Sequence, residues 1–131
     1  MKKILIPIDY YLPSYKAGGP INSISNIIEK LGDEFSFKIL TRDRDIGDKK
    51  PFENIKKNIW IKKEKTSIYY ITPSQRISFS FIKLLRSADY DVLYLNSFFS
   101  FFFSILFVIL LKIRLIQDVK VIIAPRGELA P

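Results

Sequence analysis

The stretch KKILIPIDYYLPSYKAGGPINSISNIIEKL, residues 2–31, decides the fold of this chain. It begins with an apolar, β-branched run at residues 4–8, which predicts a buried strand. It ends with isoleucine and leucine repeated at helical spacing, which predicts an amphipathic helix. The loop between them contains Gly18 and Gly19. This order is typical of a nucleotide-type α/β site, because backbone N–H groups at the start of the helix lie open to an anion or a sugar hydroxyl.

The glycine pair also has a plainer interpretation. Gly18 and Gly19 are about as typical of a tight turn as of a binding loop. They form neither the three-glycine dinucleotide fingerprint nor a Walker A loop. Their position between the first strand and the first helix favours binding. Pro20 suits the first turn of that helix, and Gly32 suits its C-terminal stop.

Composition limits the chemistry and suggests the partners. The chain has 131 residues, of which 48% are hydrophobic, enough for one domain with a real core. Its 21 basic and 13 acidic residues give a net charge of +8, so we expect anionic partners. It contains neither Cys nor His, which excludes disulfides, thiolate chemistry and the usual general base. The apolar start is too short for a signal peptide, which predicts a cytoplasmic protein.

The rest of the chain alternates strands with helices. Strands are predicted at 35–41, 59–61, 67–71, 91–95 and 119–124, and helices are predicted from Pro73, with Ser74 as N-cap, and at 97–111. This alternation predicts an α/β fold with a parallel sheet and helices on both faces. Ligands of such folds bind beyond the carboxyl ends of the strands. That rule selects four polar or glycine-bearing segments: residues 9–19, 42–48, 96–97 and 125–128.

The loop RDRDIGD, residues 42–48, contains two carboxylates in the order Asp43-Arg44-Asp45. The pattern resembles the metal-binding Asp-x-Asp of some sugar transferases. Chance produces this spacing easily, and the arginines neutralise the carboxylates locally, so we favour a solvated, self-paired loop over a Mg²⁺ site. We therefore predict no bound metal.

Residues 49–65 contain seven lysines and two glutamates, which is +5 of the net charge. A soluble loop face is one interpretation, and a patch that contacts anionic lipid is the other. Nucleic acid, with Trp60 as a stacking residue, is less favoured because no recognised motif supports it. We predict that the membrane-facing residues are Lys56, Lys57, Lys62 and Lys63.

After Ser97, the helix predicted at 97–111 is apolar except for Ser100 and Ser104. Fifteen helical residues span roughly 22 Å, which is shorter than the ~30 Å hydrocarbon core of a bilayer. We therefore reject a transmembrane span. A helix that is apolar all round is either buried or in contact with lipid or another domain.

Four segments together resemble a known family: YLPSYKAGGP (11–20), TRDRD (41–45), DVLYLNS (91–97) and APRGEL (124–129). They are similar to the N-terminal domain of GT-B glycosyltransferases of the family-four, group-one type. The resemblance covers essentially the whole chain. It implies that residues 1–131 are a truncated, Rossmann-like acceptor-side domain. The C-terminal, donor-binding domain would be absent.

The resemblance also implies roles for individual residues. Gly18 and Gly19 would lie near the donor's phosphates and sugar, and Arg126 would be the catalytic residue. The other substrate-binding residues would be Arg42, Asn96, Ser97, Gly127 and Glu128. Many relatives have His at the positions of Asn96 and Arg126, so a role that needs imidazole does not transfer. An internal ion pair between Arg126 and Glu128 is the structural alternative.

The resemblance implies retaining transfer of a sugar from a nucleotide-sugar, without metal or other cofactor, to a glycan or lipid-linked acceptor. We expect the protein to be peripheral on the inner membrane face, from its charge and apolarity together. The alternative is a non-catalytic basic α/β module that docks on anionic membranes. A receiver domain is a weak third hypothesis, because Asp9 has no acidic partner at the later strand ends.

Overall fold

The computed structural model describes residues 1–15, 19–76, 78–96, 101–116 and 119–124. The strands in these residues are β1 (Lys2–Pro7), β2 (Phe35–Arg42), β3 (Trp60–Lys63), β4 (Thr66–Ile71), β5 (Val92–Leu95) and β6 (Lys120–Ile123). The helices are α1 (Gly19–Leu31), α2 (Pro73–Arg76), α3 (Phe79–Ser87) and α4 (Leu106–Lys112), and a π-helical turn, Phe101–Ile105, leads into α4.

The strands form one sheet in the order β3-β4-β2-β1-β5-β6. All neighbouring pairs are parallel except β3 and β4, which form an antiparallel hairpin at the edge. The turn of this hairpin contains Glu64 at φ 45°. The predicted α/β fold with a mostly parallel, Rossmann-like sheet is therefore confirmed, and the hairpin is the one departure among the described strands.

Side chains from alternate strand positions fill two cores, one on each face of the sheet. The core on the α1 face contains Ile6, Ile39 and Tyr70 from the strands and Ile24 and Ile28 from the helix. The core on the opposite face combines strand residues with α3 and α4, and its members include Leu5, Leu93, Phe81, Phe107 and Leu110. Helices thus cover both faces, as the alternation of elements predicts.

Helix α1 ends where the sequence predicts. The amide of Gly32 donates to the carbonyl oxygen of Ile28 at 2.8 Å. A Cβ atom at Gly32 would lie 2.6 Å from that oxygen and 2.6 Å from Cδ of Lys65. Only glycine fits between the end of α1 and the β3–β4 hairpin.

A helix begins at Pro73, as the sequence predicts, but the predicted N-cap, Ser74, is wrong. Thr72 occupies the cap position, because its hydroxyl oxygen accepts a hydrogen bond from the amide of Gln75 at 3.4 Å. Ser74 lies inside the short helix α2, and a second helix, α3, begins at Phe79 after Ser78. Pro73 fills the first position of α2, where its missing N–H group costs nothing.

The apolar segment predicted as a helix over 97–111 is helical from Phe101 to Lys112, and residues 97–100 lie outside the described part. Phe103, Phe107 and Leu110 are buried against the sheet, whereas Ile105 and Ile109 are exposed. The segment is therefore buried on one side and open on the other. None of the helices in the described ranges is long and apolar enough to cross a bilayer.

Candidate functional site at the carboxyl edge of the sheet

The chain segments that leave the parallel strands remain side by side at one edge. The amide of Ile8 donates to the carbonyl oxygen of Leu40 at 2.9 Å, just past the end of β1. The Asn96 side-chain amide donates to the carbonyl oxygen of Pro7 at 3.5 Å. The amide of Ala124 donates to the carbonyl oxygen of Leu95 at 2.8 Å. The segments after β1, β2, β5 and β6 therefore share the carboxyl edge of the sheet.

The loop after β1 is fixed against the sheet by hydrogen bonds. The hydroxyl of Tyr70, a residue of β4, donates to the carbonyl oxygen of Leu12 at 2.6 Å. Burial raises the pKa of Tyr70 to about 12. Burial also raises the pKa of Tyr11, and a hydrogen bond with Ser25 of α1 partly opposes that shift. The loop is thus attached to β4 on one side and to α1 on the other.

Asp45 joins the loop after β2 to the loop after β1. Its carboxylate accepts hydrogen bonds from the hydroxyl of Ser14 and from the amide of Tyr15, the latter at 3.1 Å. It also accepts a hydrogen bond from the amide of Ile46 at 2.8 Å. Asp45 is 3% exposed and Asp43 is 2% exposed. The prediction of a solvated loop is therefore wrong for these two carboxylates, although residues 46–48 are exposed. Tertiary hydrogen bonds compensate the burial of Asp45.

Asp43 and Arg44 form the self-paired part of the same loop. The guanidinium of Arg44 donates to both carboxylate oxygens of Asp43, at 2.8 and 3.2 Å. This bidentate geometry raises the pKa of Arg44 above its ordinary value. Arg44 also donates to the carbonyl oxygen of Lys49 at 2.5 Å, so it ties down the start of the lysine-rich segment.

Arg42, a predicted substrate-binding residue, lies at the centre of the edge. Its Nη2 donates to the carboxylate of Asp9 at 3.1 Å. Its Cζ lies 5.6 Å from the ring centre of Tyr10 and 5.2 Å from that of Phe103. Its Nε is buried and has no hydrogen-bond partner among the described residues. The planar guanidinium is thus held by two rings and one carboxylate.

A third guanidinium, that of Arg76, lies close to this cluster. Burial lowers the pKa of Arg76, and the positive charges of Arg42 and Arg44 lower it further. The carboxylates of Asp43 and Asp9 partly oppose this. Arg42 and Arg44 already pair with Asp9 and Asp43, so an anionic ligand would meet partly neutralised positive charge at this cluster. Sugar hydroxyls would also find both donors and acceptors here.

The structure brings some of the predicted site residues together and leaves others unassigned. Arg42 and Asn96 lie at the carboxyl edge, and Gly19 opens α1. A Cβ atom at Gly19 would have no described atom within 4 Å, so packing does not require glycine there. The remaining predicted residues lie outside the described part of the chain: Gly18, Ser97, Arg126, Gly127 and Glu128.

The lysines predicted to face a membrane do not form one uniform face. Lys62 and Lys63 are neighbours on β3, and adjacent strand residues point to opposite faces of a sheet. The ammonium of Lys57 donates to the carbonyl oxygen of Ile55 at 3.2 Å, whereas Lys56 is exposed. The contribution of these four residues to membrane binding stays a prediction.

Sequence reasoning missed Arg76, Ser14 and the ion-pairing role of Asp9. Thr72 directly follows β4, so the rule about carboxyl ends already pointed to that segment. The assignment of one continuous helix from Pro73 concealed this, because it treated Arg76 as an ordinary helix residue. Ser14 carries no local signal, since its partner Asp45 lies 31 residues further along the chain.

No group of three or more carboxylates that could hold a metal ion occurs within the described ranges. Comparisons of the chain with protein-family models, with curated proteins and with solved structures give no match.

Proposed function

We propose that this chain is the acceptor-side part of a sugar transferase, which moves a sugar from a nucleotide-sugar to a glycan or lipid-linked acceptor. The observation that carries the proposal is the convergence of polar segments at the carboxyl edge of the sheet. Buried or half-buried charged groups from the segments after β1, β2 and β4 meet there, beside Asn96. In α/β folds this edge is where ligands bind.

The chemistry of the edge suits glycosyl transfer. The reaction needs an acceptor hydroxyl held in position, and it needs compensation of the negative charge that develops on the departing diphosphate. The carboxylate of Asp9 and the side chain of Asn96 offer hydrogen bonds to acceptor hydroxyls. Arg42 and Arg76 offer positive charge. The ring of Tyr10, which already packs against Arg42, offers a surface for a sugar ring.

The donor side of the proposal depends on the start of α1 and on residues beyond the described ranges. The open space beside Gly19 would admit a diphosphate close to the backbone. The roles of Gly18, Arg126, Gly127 and Glu128 stay predictions. A second, donor-binding domain would supply most of the contacts with the nucleotide-sugar, so the chain alone would bind acceptor and not carry out transfer.

The test measures two quantities in parallel. The first is calorimetric binding of nucleotide-sugars, oligosaccharides and lipid-linked sugars to the 131-residue chain. The second is transfer of labelled sugar by the product of the complete gene. We expect acceptor binding by the chain, weak nucleotide-sugar binding by the chain, and transfer by the gene product. Arg42→Gln and Asn96→Ala lower transfer at least tenfold, which corresponds to about 1.4 kcal/mol of lost interaction.

Lys30→Gln is the control, because Lys30 is an exposed cation in the last turn of α1. Transfer by this variant should equal that of the wild type. Tight binding of nucleotide-sugar by the chain alone contradicts the proposed division of roles. Membrane binding by a gene product that transfers no sugar supports the alternative, a non-catalytic docking module.

A further inference from the structure

Helices α3 and α4 lie side by side on one face of the sheet and share a core. The rings of Phe81 and Phe107 meet edge to face, with centres 5.9 Å apart. A cavity of about 220 Å³ opens between the helices, and its lining includes Ile82, Leu106 and Leu110. The two helices therefore present one continuous outer surface.

The outer surface of α4 and its flanks is apolar. Ile105, Ile109 and Ile113 are 37%, 43% and 58% exposed. Their spacing of four residues puts them on one side of the helix, opposite the buried Phe107 and Leu110. Three aligned, exposed isoleucines are unfavourable in water, which makes this surface a candidate for a partner.

The outer surface of α3 combines one aromatic ring with positive charge. Phe79 is 82% exposed, and Lys83 and Arg86 are exposed on the same side of the helix. Phe81 and Leu85 face the core instead. Phe79 also lines the cavity between the helices, so it connects the two outer surfaces.

Charge identifies the kind of partner. Residues 78–87 and 101–116 contain four basic residues and no acidic residue. Lys83, Arg86, Lys112 and Arg114 are all exposed. A surface that combines apolar side chains with cations and has no acidic residue suits an anionic bilayer. The apolar side chains would enter the boundary between head groups and acyl chains, and the cations would bind the anionic head groups. A protein partner of the same surface would have to bring an acidic, apolar patch of its own.

We infer that the α3–α4 surface docks on anionic membranes, with Phe79, Ile109 and Ile113 entering the head-group region. The inference is independent of sugar transfer. It also differs from the membrane interpretation of the lysine-rich segment, because it assigns the contact to helices and not to Lys56, Lys57, Lys62 and Lys63. The lysine-rich segment has an exposed isoleucine as well, Ile59, which allows matched variants.

The experiment is co-sedimentation of the chain with vesicles of phosphatidylcholine alone and of phosphatidylcholine mixed with phosphatidylglycerol. We expect binding to the mixed vesicles and weaker binding to the neutral ones. The variant Ile109→Ser/Lys112→Gln changes the α4 surface, and Ile59→Ser/Lys62→Gln makes the same two changes in the lysine-rich segment. The first variant should lose about fivefold in affinity for the missing lysine and about tenfold for the missing isoleucine. The second variant should bind like the wild type.

A fluorescence measurement keeps the inference testable if a variant is unstable. Trp60 packs on the same face of the sheet as α3 and α4, so it is replaced by phenylalanine in this measurement. Phe79→Trp in the Trp60→Phe background puts the one tryptophan of the chain on the proposed contact surface, and brominated lipids should quench its emission. No quenching, equal loss of binding by both double variants, or loss only with the lysine-rich segment variant overturns the inference. Binding to a soluble acidic protein in place of vesicles would also overturn it.

Discussion

The aspartates at the two ends of the parallel strands differ in burial. At the amino ends, Lys3 pairs with Asp89 and Lys65 pairs with Asp33, and both aspartates are exposed. At the carboxyl ends, Asp43 and Asp45 are almost completely buried. Exposed ion pairs contribute little to stability, whereas buried carboxylates are tolerated only when hydrogen bonds compensate their desolvation. The loops at the carboxyl ends are therefore held by buried, hydrogen-bonded carboxylates, whereas the amino ends have only exposed ion pairs among these contacts.

The largest effect is expected from Asp45→Ala. The change removes the acceptor of hydrogen bonds from Ser14, Tyr15 and Ile46, and it leaves the buried hydroxyl of Ser14 without its partner. We expect a loss of about 3 kcal/mol in the free energy of unfolding in urea. Asp33→Ala, at the amino end, is the control and should not change the unfolding midpoint. Equal midpoints for the two variants would remove the contrast between the ends.

Two buried tyrosines, Tyr70 and Tyr90, should make the free energy of unfolding decrease at alkaline pH. Burial raises the pKa values of Tyr70 and Tyr90 to about 12, from an ordinary value of 10. Because the folded state disfavours the ionised tyrosine, the contribution of each tyrosine to the free energy of unfolding is fully present below pH 10. This contribution is lost as the pH rises to about 12. The loss is about 2 to 3 kcal/mol for each tyrosine.

Urea unfolding between pH 8 and pH 12 measures this loss, and Tyr70→Phe and Tyr90→Phe should each remove a part of it. At neutral pH the two variants should differ. Tyr70→Phe deletes the hydrogen bond to Leu12 at the carboxyl end and should cost about 1 kcal/mol. Tyr90→Phe should cost less, because the Tyr90 hydroxyl has no hydrogen-bond partner within the described ranges. A stability that is flat across this pH range would contradict the assigned burial.

Arg42→Gln should have a smaller effect on stability. The variant loses the ion pair with Asp9 and the contacts with the rings of Tyr10 and Phe103. We expect a cost of about 1 to 2 kcal/mol, and Arg42→Lys should recover only part of it, because an ammonium group does not stack on rings as a planar guanidinium does. Thermal unfolding measures both variants. Full recovery by lysine would show that charge alone matters at this position.

The smallest effect is expected from Lys3→Gln at the amino end. The side-chain ammonium of Lys3 contacts the exposed carboxylate of Asp89, and that contact raises the pKa of Lys3. Solvent screens such a pair, so the melting temperature should not change measurably. A decrease as large as that of Arg42→Gln would show that the amino end is as organised as the carboxyl end.

Local sequence was sufficient to predict the strands, helix α1, and the position of Arg42 and Asn96 at the carboxyl edge of the sheet. Periodicity and strand ends carry that information without knowledge of distant contacts. The burial of Asp43 and Asp45 could not be predicted, because their alternating charges are typical of a solvated loop. Their burial depends on Ser14, Tyr15 and Phe52, whose amides and hydroxyl reach this loop only in the folded chain.

The N-cap of α2 is a second feature that the sequence alone did not identify. Ser74 and Thr72 are both good cap residues by type, and only the hydrogen bond of the Thr72 hydroxyl with Gln75 distinguishes them. Pro73 was the available signal, because proline is frequent at the first position of a helix and the cap then precedes it.

Binding at the carboxyl edge is tested most directly by a map of backbone amide shifts in the chain during titration with hexose 1-phosphates and short oligosaccharides. We predict shifts at the carboxyl edge, in residues 9–15, 42–46, 72–76 and 96, and no change in residues 33–36, 63–66 and 89–91. Shifts confined to the amino edge, or spread evenly over both edges, would contradict the claim that the carboxyl edge is the binding site.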